Sequence, residues 1–523
     1  MPIDSGAILS ALLLGVLLAS GVSWIVASLY RRRMLVLMRG GTAPQDAQPA
    51  PTTRPSTAPA EPRAPIPLDL AGHRRAVWRY LLAMSGVSLL IGVTQSWLDL
   101  LLVYQVDRIT ANRLLLLGLV YAWPMVMAWG LLRRWSWTRV ALAIAAYMVF
   151  MAVLVLWGSN ERQSLAQVSG WLGGVVVIPM GVTLLIGASG RIRAVAPYLL
   201  PIFLLLSAAS VFVLLVLALG SAHPPVWIIR LVGVLGVHAT LLLLALAPWM
   251  LLAWPVYAMG RALARAYREK SFSDLGYLFA AYWFVVLFAS ALPAYQGAGL
   301  AGLVQLLAWL WIPLASWGLR SWLVPAGPAP TLLVLRVFQQ DAQVARLFDR
   351  VVERWRLSGN TVLIAGADLI GYTLDPDDLF TFLNGDLASR FIAHPDQVDE
   401  RLRGFDLRPD PDGRYRVNEC YCFDSTWQAA LAALVQQADV VLMDLRGFQA
   451  KNQGCRHELG VLGAASHVQQ VVLLVDDRTE REVVRADTIS APPGRFVWVE
   501  AGRLNGRKAG EITAALFGQS ASA

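Results

Sequence analysis

The sequence predicts an all-α membrane bundle of about nine crossings, followed by a cytosolic, doubly wound, mostly parallel α/β domain. Three observations lead there. Of the 523 residues, 56% are hydrophobic and only 15% charged, where soluble domains carry about a quarter charged residues. The apolar residues gather into runs of about twenty, the length of a bilayer-spanning helix. From residue 331 the pattern changes to short solid apolar runs that alternate with amphipathic stretches, the signature of buried parallel strands joined by helices.

The spans fall at 7–29, 80–104, 114–132, 140–158, 168–188, 196–219, 226–258, 275–295 and 300–323. The seventh is too long for one straight crossing, and Pro248 and Pro255 are expected to kink it. Asp4 precedes the first run and Arg31-Arg32-Arg33 follows it, as in an uncleaved anchor with its basic end inside. With the N-terminus outside, the inner loops carry 18 basic residues and the outer loops three, namely Arg108, Arg113 and Arg162. This bias predicts a cytoplasmic-membrane protein with its C-terminal part in the cytosol. The predicted segments are an anchor at 1–30, a disordered basic linker at 31–76, a polytopic region at 77–324 and the α/β domain at 325–523. Seventeen of the 20 tryptophans lie before residue 325, an aromatic belt at the lipid interface. Asp99 and Arg230 lie at matching depths near the outer ends of their spans, which predicts an ion pair between them. His238 lies deeper, and no chain of carboxylates marks a proton relay.

Charge separates the two halves. Of 35 acidic residues, 26 follow residue 330, but only 21 of 44 basic residues do. The C-terminal part is therefore net negative by five, and the positive excess belongs to the membrane-flanking loops. That split, with no basic-aromatic stripe, excludes nucleic acid as the partner. The three cysteines, Cys420, Cys422 and Cys455, fit a reduced cytosol.

In the α/β part, Leu332–Leu335 is the first strand. The stripe Val344, Leu347, Phe348, Val351, Val352 and Trp355 is a helix over 341–357, closed by Ser358-Gly359-Asn360. Val362–Ala365 is the second strand. The stretch 370–423 is an insertion, with a short helix around Leu379–Phe391 and an edge strand or hairpin at Tyr415–Asn418. A helix from Trp427, capped by Ser425 or Thr426, leads to the strand Val440–Met443. A helix over 454–465, strands at 471–475 and 496–499, and a last helix through Ile512, Ala515 and Leu516 complete the order.

The segment Gly454-Cys455-Arg456-His457-Glu458-Leu459 places a carboxylate in the first turn of a helix, over the carboxyl end of the sheet, where open α/β folds keep their ligands. Cys455, Leu459 and Leu462 should face the core, with Glu458 at the rim. This box, preceded by Trp427–Gln437, Asp439–Asp444 and a loop with Gly447, Phe448 and Lys451, resembles that of Toll/interleukin-1 receptor (TIR) domains. The match covers about 40 residues closely and 331–518 in element order. The resemblance implies a flavodoxin-like five-stranded sheet, self-association through the domain, and, by analogy with NAD-cleaving members, a catalytic role for Glu458. A carboxylate beside the ribose would stabilise oxocarbenium character as the nicotinamide bond breaks. NAD or a related nucleotide is then the expected substrate or ligand, in a bacterial-type signalling or defence setting.

Glu458 can equally be a solvent-facing residue or an ion-pair partner of Arg446 or Lys451. Gln339, after the first strand, Asp368, after the second, and Asp444 and Arg446, after the third, are the expected ligand contacts at the same edge. Gly366 serves a tight turn. There is no phosphate-binding P-loop and no GxGxxG in this half. Cys420-Tyr421-Cys422 has the wrong spacing for a zinc knuckle, and no metal is expected. Asp410, Asp412, Gly413 and Glu419 fit EF-hand positions, but Arg408 stands where the first ligand should be, so an Asp-Gly turn is expected. The alternatives to an effector enzyme are a non-enzymatic membrane sensor or scaffold, and a transporter with a regulatory cytosolic domain.

Overall fold

A computed structural model describes residues 5–39, 65–158, 164–173, 176, 180, 190–219, 224–337, 341–366, 381–382, 385, 387–423, 425–489 and 492–519. The chain forms two compact units. One joins Met1–Leu29 to Leu81–Leu319, and the other joins Tyr30–Tyr80 to Arg320–Ala523.

Among the described residues, five helices are long and apolar enough to cross a membrane, and a sixth counts if the pair Ala111–Tyr121 and Pro124–Arg133, bent by 42°, is one span. The span read at 168–188 lies mostly outside the described residues. The seventh predicted span is interrupted at Gly236 (φ +78°), while Pro248 and Pro255 lie within the continuous helix Val237–Arg268. Glycine provides the break because it alone adopts that backbone without strain. Backbones approach closely elsewhere. A Cβ on Gly92 would stand 2.3 Å from the carbonyl oxygen of Gly118, and one on Gly302 2.4 Å from the backbone of Ala294. Such contacts hold apolar helices together where the hydrophobic effect between them is weak.

The second unit is built on seven parallel strands: β1 (Thr331–Arg336), β2 (Asn360–Ile364), β3 (Phe391–Ile392), β4 (Val417–Cys422), β5 (Val440–Asp444), β6 (Gln470–Val475) and β7 (Phe496–Glu500). Their order is β3-β4-β2-β1-β5-β6-β7. The five strands β2-β1-β5-β6-β7 follow the 2-1-3-4-5 order of doubly wound sheets, so the winding reverses between β1 and β5. Those two strands align Arg336 with Asp444. The 370–423 insertion extends the far edge by two parallel strands, with β4 against β2 and β3 against β4. Tyr415–Asn418 thus leads into an inner parallel strand and forms no hairpin. Where a helix is expected around Leu379–Phe391, Leu387–Arg390 form a short 3₁₀ helix and Phe391 begins β3, while 379–380, 383–384 and 386 lie outside the described residues.

Alternation along the strands feeds two cores. Leu332, Val334, Leu363, Leu442, Val472 and Leu474 meet Val351, Trp355, Ile512 and Leu516 on one face. Leu333, Leu335, Val441, Met443, Leu473 and Val475 meet Leu431, Leu434, Leu459 and Leu462 on the other. A helix absent from the sequence reading, Arg481–Asp487, also packs on the second face through Val484.

The residues flanking 40–64 belong to this unit. The segment read as a linker is helical at both described ends, within Ser5–Arg39 and from Leu70. Tyr30, Met34 and Leu70 are buried in the first core. Tyr30 meets the Phe382 ring edge-on at 5.6 Å, His73 Nδ1 lies 2.7 Å from Ser358 Oγ, and the Tyr80 hydroxyl donates to Asp412 at 2.7 Å. The heart of the segment, 40–64, lies outside the described residues, and its described flanks place Met34 and Leu70 in the first core.

The turn from the first helix into β2 leaves no room for a side chain at Gly359, whose Cβ would meet the Pro330 carbonyl oxygen at 2.1 Å. Gly359→Ala should destabilise the unit by about 1–3 kcal/mol. Gly502→Ala, exposed and with open space around it, should be near neutral. Denaturant unfolding of the full chain followed by tryptophan fluorescence compares the two.

Candidate functional site at the switch point of the sheet

The loop after β5 is tightly fastened. Arg446 grips Asp444 with two hydrogen bonds, Nε to Oδ1 at 2.7 Å and a second from Nη2 to Oδ2. The same guanidinium donates to the carbonyls of Ala501 and Gln343. Gly447, at φ +75°, donates its N–H to Asp476 Oδ1 at 2.8 Å. Thr479 donates to the Leu445 carbonyl, and Phe448 is fully buried. Asp444 and Arg446, both read as ligand contacts, are therefore engaged with each other and with the loop. Burial would raise the Asp476 carboxyl, but hydrogen bonds from Gly447 and Arg478 outweigh it and hold it below the usual range.

The helix that carries the sequence box runs Gln453–Ala464, so Glu458 stands in its second turn, not its first. Cys455, Leu459 and Leu462 face the core as expected. Glu458 lies deeper than the rim, at 3% exposure. Trp427, from the neighbouring helix, comes within 4.0 Å of the Cβ position of Gly454 and stands edge-on to His457 at 5.5 Å. Arg456, on the opposite side, forms a bidentate pair with Asp487 at 2.9 and 3.0 Å.

Glu458 pairs with neither Arg446 nor Lys451 among the described contacts. Its Oε2 is buried without a hydrogen-bond partner among the described residues. Desolvation pushes its carboxyl up to about 8, against the opposing pull of Arg336. Arg336, the last residue of β1, is 2% exposed and donates to the Ile364 carbonyl at the end of β2 at 3.2 Å. The Cys455 thiol contacts the Arg336 carbonyl and is itself raised above its ordinary value by burial and by Glu458. The site thus couples a largely neutral acid to a buried cation at the carboxyl ends of β1 and β2. Such a pair can hold a hydroxyl or an anionic group, or ionise when positive charge develops beside it.

Gln339 and Asp368 lie outside the described residues. Arg336 is the residue the sequence reading missed. Its signal is a charged residue closing an otherwise apolar strand, at the register position opposite Asp444. The Thr426 hydroxyl does not cap the following helix, but donates back to the Ile392 carbonyl at 2.9 Å. Asp410 and Gly413 form the expected turn, with Gly413 at φ +82° and Asp410 paired to Arg416.

In the other unit, Asp99 bonds the Gln305 amide and lies beside the Tyr121 hydroxyl. The predicted Asp99–Arg230 pair is not formed among the described residues, and Arg230 is exposed. Matching depth along two helices says nothing about which way each side chain faces.

The fold and this edge define a doubly wound α/β unit with a buried acid at its switch point. No family model matches the chain, and no curated protein or solved structure matches it.

Two variants separate the buried charges. The folded state holds the Glu458 proton at pH values where the unfolded chain has released it. That burden appears as pH rises from about 4.5 and is complete near 8. Glu458→Gln should match wild type at pH 4 and gain roughly 2–4 kcal/mol by pH 9, read as thermal midpoints across pH. Arg446→Ala should cost about 3–5 kcal/mol, because it strands a buried Asp444. Adding Asp444→Asn should recover much of that loss in chemical denaturation.

Proposed function

We propose that this chain is a polytopic protein of the cytoplasmic membrane that binds NAD or a related nucleotide in its α/β unit. The membrane region has about nine crossings, with the N-terminus outside and the α/β unit in the cytosol. The loop-charge bias supports that orientation. The carrying observation is Glu458: a buried carboxyl oxygen without a partner among the described residues, beside Arg336, at the reversal point of a parallel sheet. Open α/β folds bind their ligands at that point. Arg336 suits a phosphate or a ribose hydroxyl, and Glu458 suits the ribose next to the nicotinamide bond. As that bond breaks, nicotinamide leaves as a neutral base, the Glu458 proton passes to water, and the carboxylate stabilises the oxocarbenium centre until a water molecule adds to it and loses its proton to solvent. The TIR-like box supports this chemistry, with self-association of the domain as its switch and a signalling or defence role.

The near-complete burial of Glu458 also favours a second reading, a sensor that binds the ligand without turning it over. The full chain in lipid nanodiscs, incubated with NAD, distinguishes them by chromatography of released nicotinamide. The enzyme reading expects release that falls about 100-fold or more in Glu458→Gln. NAD binding without release, weakened in Arg336→Gln, supports the sensor. Neither binding nor release sinks both.

A further inference from the structure

We propose that the apolar unit contains a binding site for a monovalent alkali cation, centred on Asp99. Three irregular backbone segments meet there. The helix Leu70–Leu98 ends in a wide π turn over Asp99–Val103. Asp99 is hydrogen-bonded with Tyr121, at the 42° break between Ala111–Tyr121 and Pro124–Arg133. It is also hydrogen-bonded with Gln305, which lies on a 12-residue 3₁₀ helix, Gly299–Leu310. Runs of 3₁₀ helix beyond 3–4 residues are uncommon, and π turns concentrate at functional positions. Broken apolar helices around a buried polar group are how membrane proteins build cation sites.

The polar groups at this place are not satisfied by one another. Gln95, one turn before Asp99 on the same face, is 0% exposed, and among the described residues neither its amide oxygen nor its amide nitrogen has a partner. Gln305, also 0% exposed, gives its nitrogen to Asp99 and leaves its oxygen unpartnered among the described residues. Each unpaired polar group in so apolar a setting costs on the order of 1–3 kcal/mol, so a set this size calls for a ligand.

The donor chemistry selects the ligand. Carboxylate, amide and hydroxyl oxygens are hard ligands, suited to alkali and alkaline-earth ions. A single carboxylate balances one positive charge. A divalent ion would leave a net charge among apolar helices, which is expensive. The site takes Na⁺ or K⁺, with Asp99 as the counter-charge and the oxygens of Gln305 and Gln95 as neutral ligands. It is independent of any ligand at Glu458.

The test uses the full chain in nanodiscs prepared in N-methylglucamine chloride. Sodium or potassium chloride then replaces that salt at constant ionic strength. We expect saturable binding of radiolabelled sodium or rubidium, and a thermal midpoint that rises with one alkali cation over N-methylglucamine. Asp99→Asn and Gln305→Leu should weaken the cation response about tenfold or more, while Arg230→Gln leaves it unchanged. Wild-type chain that shows no saturable binding and equal midpoints in all three salts would overturn the proposal. So would a midpoint that answers only to pH, since Asp99 would then carry a proton and nothing else. The binding measurement on wild type stands even where a variant fails to fold.

Discussion

Everything in the α/β unit depends on the complete burial of its central strands. β1, β2 and β5 expose no side chain at all, and β6 is buried from Val471 on. A strand hidden on both faces must be covered by helices on both, and parallel strands joined by helices are the arrangement that supplies them. Once β1 goes to β2 on one side and the chain returns to β5 on the other, a crevice opens between the carboxyl ends of β1 and β5. Position 336 and position 444 are then forced into register. The charged residues that close these two apolar runs end up at the crevice because they could not stay inside the sheet.

Among the described residues, Asp444, Asp476 and Glu458 lie at or near that edge, and each meets different partners. Asp444 has a bidentate arginine. Asp476 has backbone and side-chain donors, and its carboxyl is held down in spite of burial. Glu458 has a cation nearby but no donor on Oε2, and burial dominates. Asp476, less deeply buried and well supplied with donors, is held down, while Glu458, more deeply buried and with Oε2 unpartnered among the described residues, is pushed up. Asp444 and Asp476 build the loop, and Glu458 is the acid a ligand can still engage.

The strands were legible because a solid apolar run of four to six residues leaves few alternatives. The two-faced core followed from the same runs. β3, at two residues, was too short to show any period. The Arg481–Asp487 helix contains only two apolar side chains larger than alanine, Val483 and Val484, too few for a stripe. Glu458 was legible as a candidate, but its depth was not, since burial at 3% exposure depends on tertiary packing that helix periodicity does not encode. Arg336 was overlooked because charge at the end of a strand resembles an ordinary solvent-facing terminus. In the apolar unit, charge alone pairs Asp99 with Arg230. Its partner Gln305 is neutral and lies 206 positions away in sequence, so neither charge nor proximity points to it.

Both units therefore pose one physical question in different solvents. A polar group removed from water must recover its hydrogen bonds, move its protonation equilibrium or hold a ligand. Asp444 takes the first course, within a loop that order has already been imposed upon. Glu458 takes the second, with burial favouring the proton, and that state is reversible because Arg336 is close enough to favour the charged form as well. Gln95 can take neither of the first two: an amide does not titrate, and no described donor or acceptor reaches it. Only the third course remains for it, and its position one turn from Asp99 gives that ligand a charge to balance.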